Sequence, residues 1–179
     1  MTTRSVRGLA TALLLAGCAT DRAANRLEVD WQSDSLSGRL VESALATWCT
    51  GRGRLLVTAT AGDSGFAVTV LPADSLAAAP VPGSYPVGDP GAARLLRPSA
   101  ALALRRQEES RGAGYQSRSG SLELAPSQGG WRAEFDGRIV SITGNETLTV
   151  RGEFRLAADP VAGACDDTAS TGTPADPLP

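Results

Sequence analysis

The chain has 179 residues and a mass of 18.4 kDa, with 17 basic against 19 acidic residues and a net charge of −2. That length suits one domain, and so even a charge balance excludes nucleic-acid binding through bulk charge. The chain has no His and every basic residue is Arg, which removes imidazole acid–base catalysis, the commonest metal ligand, the Ser–His and Cys–His dyads and all lysine chemistry.

The N-terminus reads as an address. Arg4 and Arg7 make a short positive region, and residues 9–16 follow as an apolar run interrupted only by Thr11. Eight residues rise about 12 Å as a helix against a bilayer core of about 30 Å, so the run is too short to span and suits a signal peptide. Leu15-Ala16-Gly17-Cys18 comes next and resembles the lipobox of bacterial lipoproteins. The resemblance implies that residues 1–17 are removed, that the Cys18 thiol receives a diacylglycerol, and that the freed amine receives a third acyl chain. Two or three chains hold a protein at a membrane far longer than one. Ala19 follows Cys18, and no Asp stands there. By similarity to the enterobacterial sorting rule, this implies the outer membrane.

Residues 18–26 are short, polar and Ala-rich and read as the lipidated tether. The domain is expected over residues 27–165. Leu27-Glu28-Val29-Asp30-Trp31 alternates, and so does Trp131-Arg132-Ala133-Glu134-Phe135. Residues 55–61 are β-branched and bounded by glycines, and residues 66–71 follow across Gly62-Asp63-Ser64-Gly65, so the pair predicts a hairpin. Residues 148–156 make the clearest strand, with Leu148, Val150, Phe154 and Leu156 on one face and Thr149, Arg151, Glu153 and Arg155 on the other. Ser121-Leu122-Glu123-Leu124 is a further strand. Residues 39–49 and 99–109 fit either a helix or a strand, and their neighbours favour strands. Residues 72–92 hold five of the 11 prolines and read as a long connection with Tyr85 as an anchor. Residues 166–179 are too poor in large apolar groups to offset their ordering entropy, which predicts a disordered tail. The fold expected is all-β: one antiparallel β-sandwich or partly open β-barrel of about seven to nine strands. Gly83-Ser84-Tyr85, Ser119-Gly120-Ser121-Leu122-Glu123-Leu124, Trp131-Arg132-Ala133-Glu134-Phe135 and Val150-Arg151-Gly152-Glu153-Phe154 are similar to uncharacterised β-rich bacterial lipoproteins that end in a hairpin with an aromatic on each strand. No family function comes with that resemblance.

With Cys18 assigned to lipid, Cys49 and Cys165 remain as an even pair in an exported chain, which predicts a disulfide. As a zinc site they would lack two ligands, so no metal and no cofactor is expected. Gly62-Asp63-Ser64-Gly65 resembles the segment around the nucleophilic Ser of chymotrypsin-like proteases, but without a His it reads as a turn. Carboxylates are the only acid–base groups left. The adjacent pairs Glu108-Glu109 and Asp166-Asp167 are poorly placed for facing one another, and Glu123, Glu134 and Glu153 fall opposite apolar faces. Solvated charge is the better reading of these acids and of Arg105-Arg106. Asn145-Glu146-Thr147 reads as a turn. Trp31, Trp48, Trp131, Tyr85 and Tyr115 fit a core better than a sugar-stacking platform.

The function expected is therefore that of a lipid-anchored envelope protein with no catalytic residues. It is held to the membrane through Cys18 and binds a protein or glycan partner, with no role for nucleic acid. The alternatives are a carboxylate-based hydrolase in a shallow cleft and a hollow carrier of a small apolar ligand.

Overall fold

The structure is a computed structural model that describes residues 25–90, 96–108 and 111–165. The signal peptide expected over residues 1–17, Cys18, most of the expected tether, Glu109 and the tail expected over residues 166–179 lie outside the described residues. Period-two alternation fixes the elements. The first five strands are β1 (Arg26–Gln32), β2 (Ser37–Ser43), β3 (Leu45–Cys49), β4 (Arg54–Ala61) and β5 (Ser64–Leu71). After them come β6 (Gly83–Val87), β7 (Ser99–Glu108), β8 (Arg111–Ser127), β9 (Gly130–Ser141), β10 (Thr147–Leu156) and β11 (Val161–Gly163).

All eleven strands belong to one open, curled sheet that forms a half-barrel, in the order β11-β3-β4-β5-β7-β6-β8-β9-β10-β1-β2. The all-β expectation holds, but the count of seven to nine strands is too low. The sheet is also not purely antiparallel, because β11 pairs parallel with β3 and β6 touches β7 in parallel at Val87 and Ala100. Three departures explain the count. The proline-rich connection hides β6, which tolerates Pro86 because it bonds along its length only to β8. The segment before Cys49 is two strands divided at Ala44. The short β11 has too few residues to show a period. The helix-forming residues of β7 are strand because β5 and β8 flank it and bury Leu102 and Leu104.

Two corners curl the sheet. Ala44 alone separates β2, at one end of the strand order, from β3, next to the other. Its N–H donates to the Asn25 carbonyl at 2.9 Å. The second corner lies in the 17-residue β8, which pairs with β7 over Arg111–Gln116 and with β6 over Gly120–Leu124. A bulge between Ser117 and Ser119 marks the change of partner. There the fully buried Ser117 hydroxyl accepts from the Leu102 N–H at 3.0 Å and donates to the Gly88 carbonyl at 2.6 Å. It thus satisfies backbone groups that the ladder leaves unpaired. Gly120 follows with a φ of +147°, and a Cβ there would lie 2.1 Å from the Asp136 carbonyl oxygen. Only glycine fits.

The concave side of the curl is filled. Phe135 of β9 stacks on Phe66 of β5 at 5.6 Å with an interplanar angle of 11°, joining strands from the two halves of the sheet. Such a pair is worth about 0.5–1.5 kcal/mol beyond its area. Trp31, Trp48, Tyr85 and Tyr115 are buried in the same core, with Trp131 half-buried against it. Cys49 and Cys165 are disulfide-bonded, with Cα atoms 5.2 Å apart and a sequence separation of 116. A loop of that order corresponds to roughly 4–5 kcal/mol in the chain-entropy account. The bond fastens the chain just beyond β11 to the end of β3.

Tyr85 does anchor its connection, with its hydroxyl donating to the Val81 carbonyl and its ring buried. Burial raises the pKa of that hydroxyl above its ordinary 10.0. As pH rises past 10.0, the unfolded chain therefore loses the proton before the folded one does, and stability falls. Urea denaturation between pH 9 and pH 11 should show a midpoint that drops in the native chain and drops less in Tyr85→Phe; equal slopes in the two would contradict the assignment.

Candidate functional site

The outward side chains of β8, β9, β10, β1 and β2 form the most highly charged surface of the described residues. Antiparallel pairing places directly opposed residues on one face. Glu123 of β8 is opposite Glu134 of β9, Glu134 is opposite Glu153 of β10, and Glu153 is opposite Glu28 of β1. Four glutamates from four strands thus make one row across the sheet. One pleat repeat towards the N-terminal end of β1 lies a row of arginines, Arg132, Arg155 and Arg26. On the other side lies a row of alternating sign, Asp136, Arg151, Asp30 and Arg39.

Like charges directly opposite one another destabilise a sheet by tenths of a kcal/mol, and the flanking rows offset this. Arg26 pairs with Glu28 at 3.3 Å and Arg155 with Glu153 at 2.9 Å. Arg39 pairs with Glu28 and reaches Asp30 at 3.6 Å. The hydrogen bond to Glu28, then its charge and that of Asp30, hold the Arg39 guanidinium above its ordinary pKa against a small opposing effect of burial. Glu123 and Glu134 make no ion pair with a described residue. The face is open. A broad depression of about 1150 Å³ lies over Asp30, Gln32, Arg39, Thr149 and Arg151. A smaller one of about 450 Å³ lies over Glu28, Glu134, Arg151 and Glu153.

The structure thus brings Glu123, Glu134 and Glu153 together, which their separation in sequence conceals. The signal was present as Arg26-Leu27-Glu28 and Arg132-Ala133-Glu134 on strands running one way, and Glu153-Phe154-Arg155 on the strand between them running the other. Antiparallel pairing superimposes the three. The other candidates have structural duties. Gly62 and Asp63 make a two-residue turn, since Ala61 pairs with Ser64, and the Ser64 hydroxyl accepts from the Gln107 N–H at 3.3 Å. Asn145 and Glu146 lie between β9 and β10, where the Glu146 carboxylate accepts from the Tyr115 hydroxyl at 2.5 Å and from the Ser33 hydroxyl at 3.5 Å. The Trp131 indole N–H donates to Asp159 at 3.0 Å. Arg105 is exposed as expected, but Arg106 is half-buried. Among the described residues, no group of three or more acidic or Cys side chains is placed to hold a metal ion.

A third depression, of about 430 Å³, lies outside β4, β5 and β7 around Ala67, Ala103 and Ile142, and Arg105 is the one charged residue that lines it. It offers largely apolar surface with no carboxylate. Comparison with known protein families, curated proteins and solved structures finds no match for this chain.

Proposed function

We propose that the protein is a lipid-anchored component of the bacterial envelope, held through acyl chains on Cys18 at the outer membrane. Its β-domain is a non-enzymatic module that binds a protein or glycan partner on the outer face of β8–β9–β10–β1–β2. The observation that carries the reading is the contrast between the two sides of the curled sheet. The inner side is packed with Phe66, Phe135, Leu102, Leu148 and their neighbours. The outer side is a broad, open surface with its charges in rows. Rows of both signs favour a partner with its own ordered charges, because complementary patterns fix register and reject mismatched surfaces. The anchor draws its support from the short apolar run, the two arginines before it and Leu15-Ala16-Gly17-Cys18.

A carboxylate-based hydrolase needs one acid protonated and one ionised in a desolvated cleft. The converging glutamates give that alternative its only foothold, and they share an open face instead. A carrier of an apolar ligand needs a hollow where the core side chains stand.

Two measurements test the proposal. Radiolabelled palmitate should enter the native chain and not Cys18→Ser; label in the variant would refute the anchor. A photo-crosslinking residue replacing Asp136 on the charged face should give a discrete adduct in intact envelopes, while one replacing Thr69 on the outer face of β5 should not. Equal adducts from both positions would refute the face. Hydrolytic turnover abolished by a single acid-to-amide change in a folded variant would replace the binding module with the enzyme.

A further inference from the structure

The arginine row lies where the chain enters the domain. Arg26 is the first residue of β1, Arg155 is next to last in β10 and Arg132 is third in β9. Cross-strand pairing sets Arg26 opposite Arg155 and Arg155 opposite Arg132. Three like charges in direct opposition are unfavourable unless an anion neutralises them. The glutamate row does so in part, yet the side chains of Arg26 and Arg155 remain 58% and 70% exposed while paired. Arg132 is exposed and makes no ion pair with a described residue. Some of the positive charge is therefore unspent, and it stands in the row nearest the end of the sheet at which Asn25 sits.

Asn25 is fastened there. Its carbonyl accepts from the Ala44 N–H, and its side-chain oxygen from the Ala157 N–H, both at 2.9 Å. It stands seven positions after Cys18, a reach of at most about 25 Å. The same end carries Leu45, which follows Ala44 and is 75% exposed, and the half-buried Trp131 beside Arg132, with Asp159 held on its indole N–H as an acid at that same edge. Arginines with an exposed aliphatic residue and an amphipathic indole are the groups that membrane interfaces accept. The glutamate row stands one pleat repeat, about 7 Å, further from the tether. The charge layers therefore turn their positive side towards whatever surface holds Cys18.

We propose that Arg26, Arg132 and Arg155 bind anionic phospholipid headgroups, setting the domain upright on the membrane with its charged face turned sideways and open to a partner. The proposal takes from the anchor reading only the place of the tether. A lipid surface fits better than a protein partner here, because the row adjoins the tether and lies within its short reach. Each arginine at an anionic surface contributes about fivefold to partitioning, so three contribute about 100-fold.

The test uses the chain from residue 18 carrying Cys18→Ser, which needs no acylation, in sedimentation with phosphatidylcholine vesicles with and without phosphatidylglycerol at low salt. Binding should require phosphatidylglycerol. The triple variant Arg26→Gln, Arg132→Gln, Arg155→Gln should lose about 100-fold. Arg105→Gln, Arg138→Gln, Arg151→Gln, of equal net charge, should lose little. Arg132→Glu alone, which breaks no ion pair between described residues, should lose more than about tenfold and guards against misfolding of the triple variant. No binding by the parent chain, equal losses in the two triple variants, or unchanged binding by the first would each overturn the proposal. Palmitate labelling of Cys18 decides the anchor separately, so failure of one reading is distinguishable from failure of the other.

Discussion

Phe135 fills the space that Gly152 leaves open, and the alignment of three strands, β9, β10 and β1, depends on that fit. The two residues are directly paired between β9 and β10. A Cβ on Gly152 would lie 2.6 Å from the Phe135 ring and 2.3 Å from the Glu28 carbonyl oxygen on β1. Both neighbours of β10 are therefore tight against the same position. Alternation of apolar and polar residues excludes a slip by one residue, which would turn the core faces outward. It does not exclude a slip by two. Such a slip would move Phe135 off the glycine and onto Val150 or Phe154, where no space exists for its ring.

The charged face follows from this packing even though its own electrostatics point elsewhere. A two-residue slip of β9 against β10 would set Glu134 opposite Arg151 or Arg155, in place of Glu153. Opposite charges in that position gain only about 0.2–1 kcal/mol. Burial of a Phe side chain is worth about 1.5–3 kcal/mol, and overpacking a core adds a penalty of about 1–3 kcal/mol. The core wins, and the glutamates are held in a row that surface forces alone would break up. The ion pairs from Arg26, Arg39 and Arg155 then reduce the repulsion without removing the row. In this account the charged face is an imprint of interior packing.

The legible parts of the fold are those governed by local pattern. The two faces of β10 and the turn at Gly62-Asp63 are visible in the residues themselves, and the even pair Cys49 and Cys165 foretells the disulfide. The strand nature of β7 needs its neighbours, because Ala, Leu, Arg and Glu also favour helix. The elements that sequence hides are those whose reason lies in other strands. Only the last part of β8 alternates clearly, because its Ser- and Gly-rich first part contains the corner at Ser117 and Gly120, where backbone geometry governs residue choice. The strand β6 follows from its pairing with β8, and β11 is fastened by the bond to Cys49. The glutamate row had a local trace in three Arg/Glu pairs. Converting that trace into a surface requires the register, and the register is set by a glycine and a phenylalanine separated by 17 positions.

The sign of the stability change in Gly152→Ala tests this account most directly. In a strand with free space, replacing Gly by Ala stabilises by about 0.5–1 kcal/mol through lost backbone entropy in the unfolded chain. If Gly152 is held tight by Phe135 and the Glu28 carbonyl, the added methyl must displace one of them, and denaturant titration should show a loss on the order of 1–3 kcal/mol. A variant as stable as the native chain, or more so, would mean that the fit does not set the register and that the charged face needs another explanation.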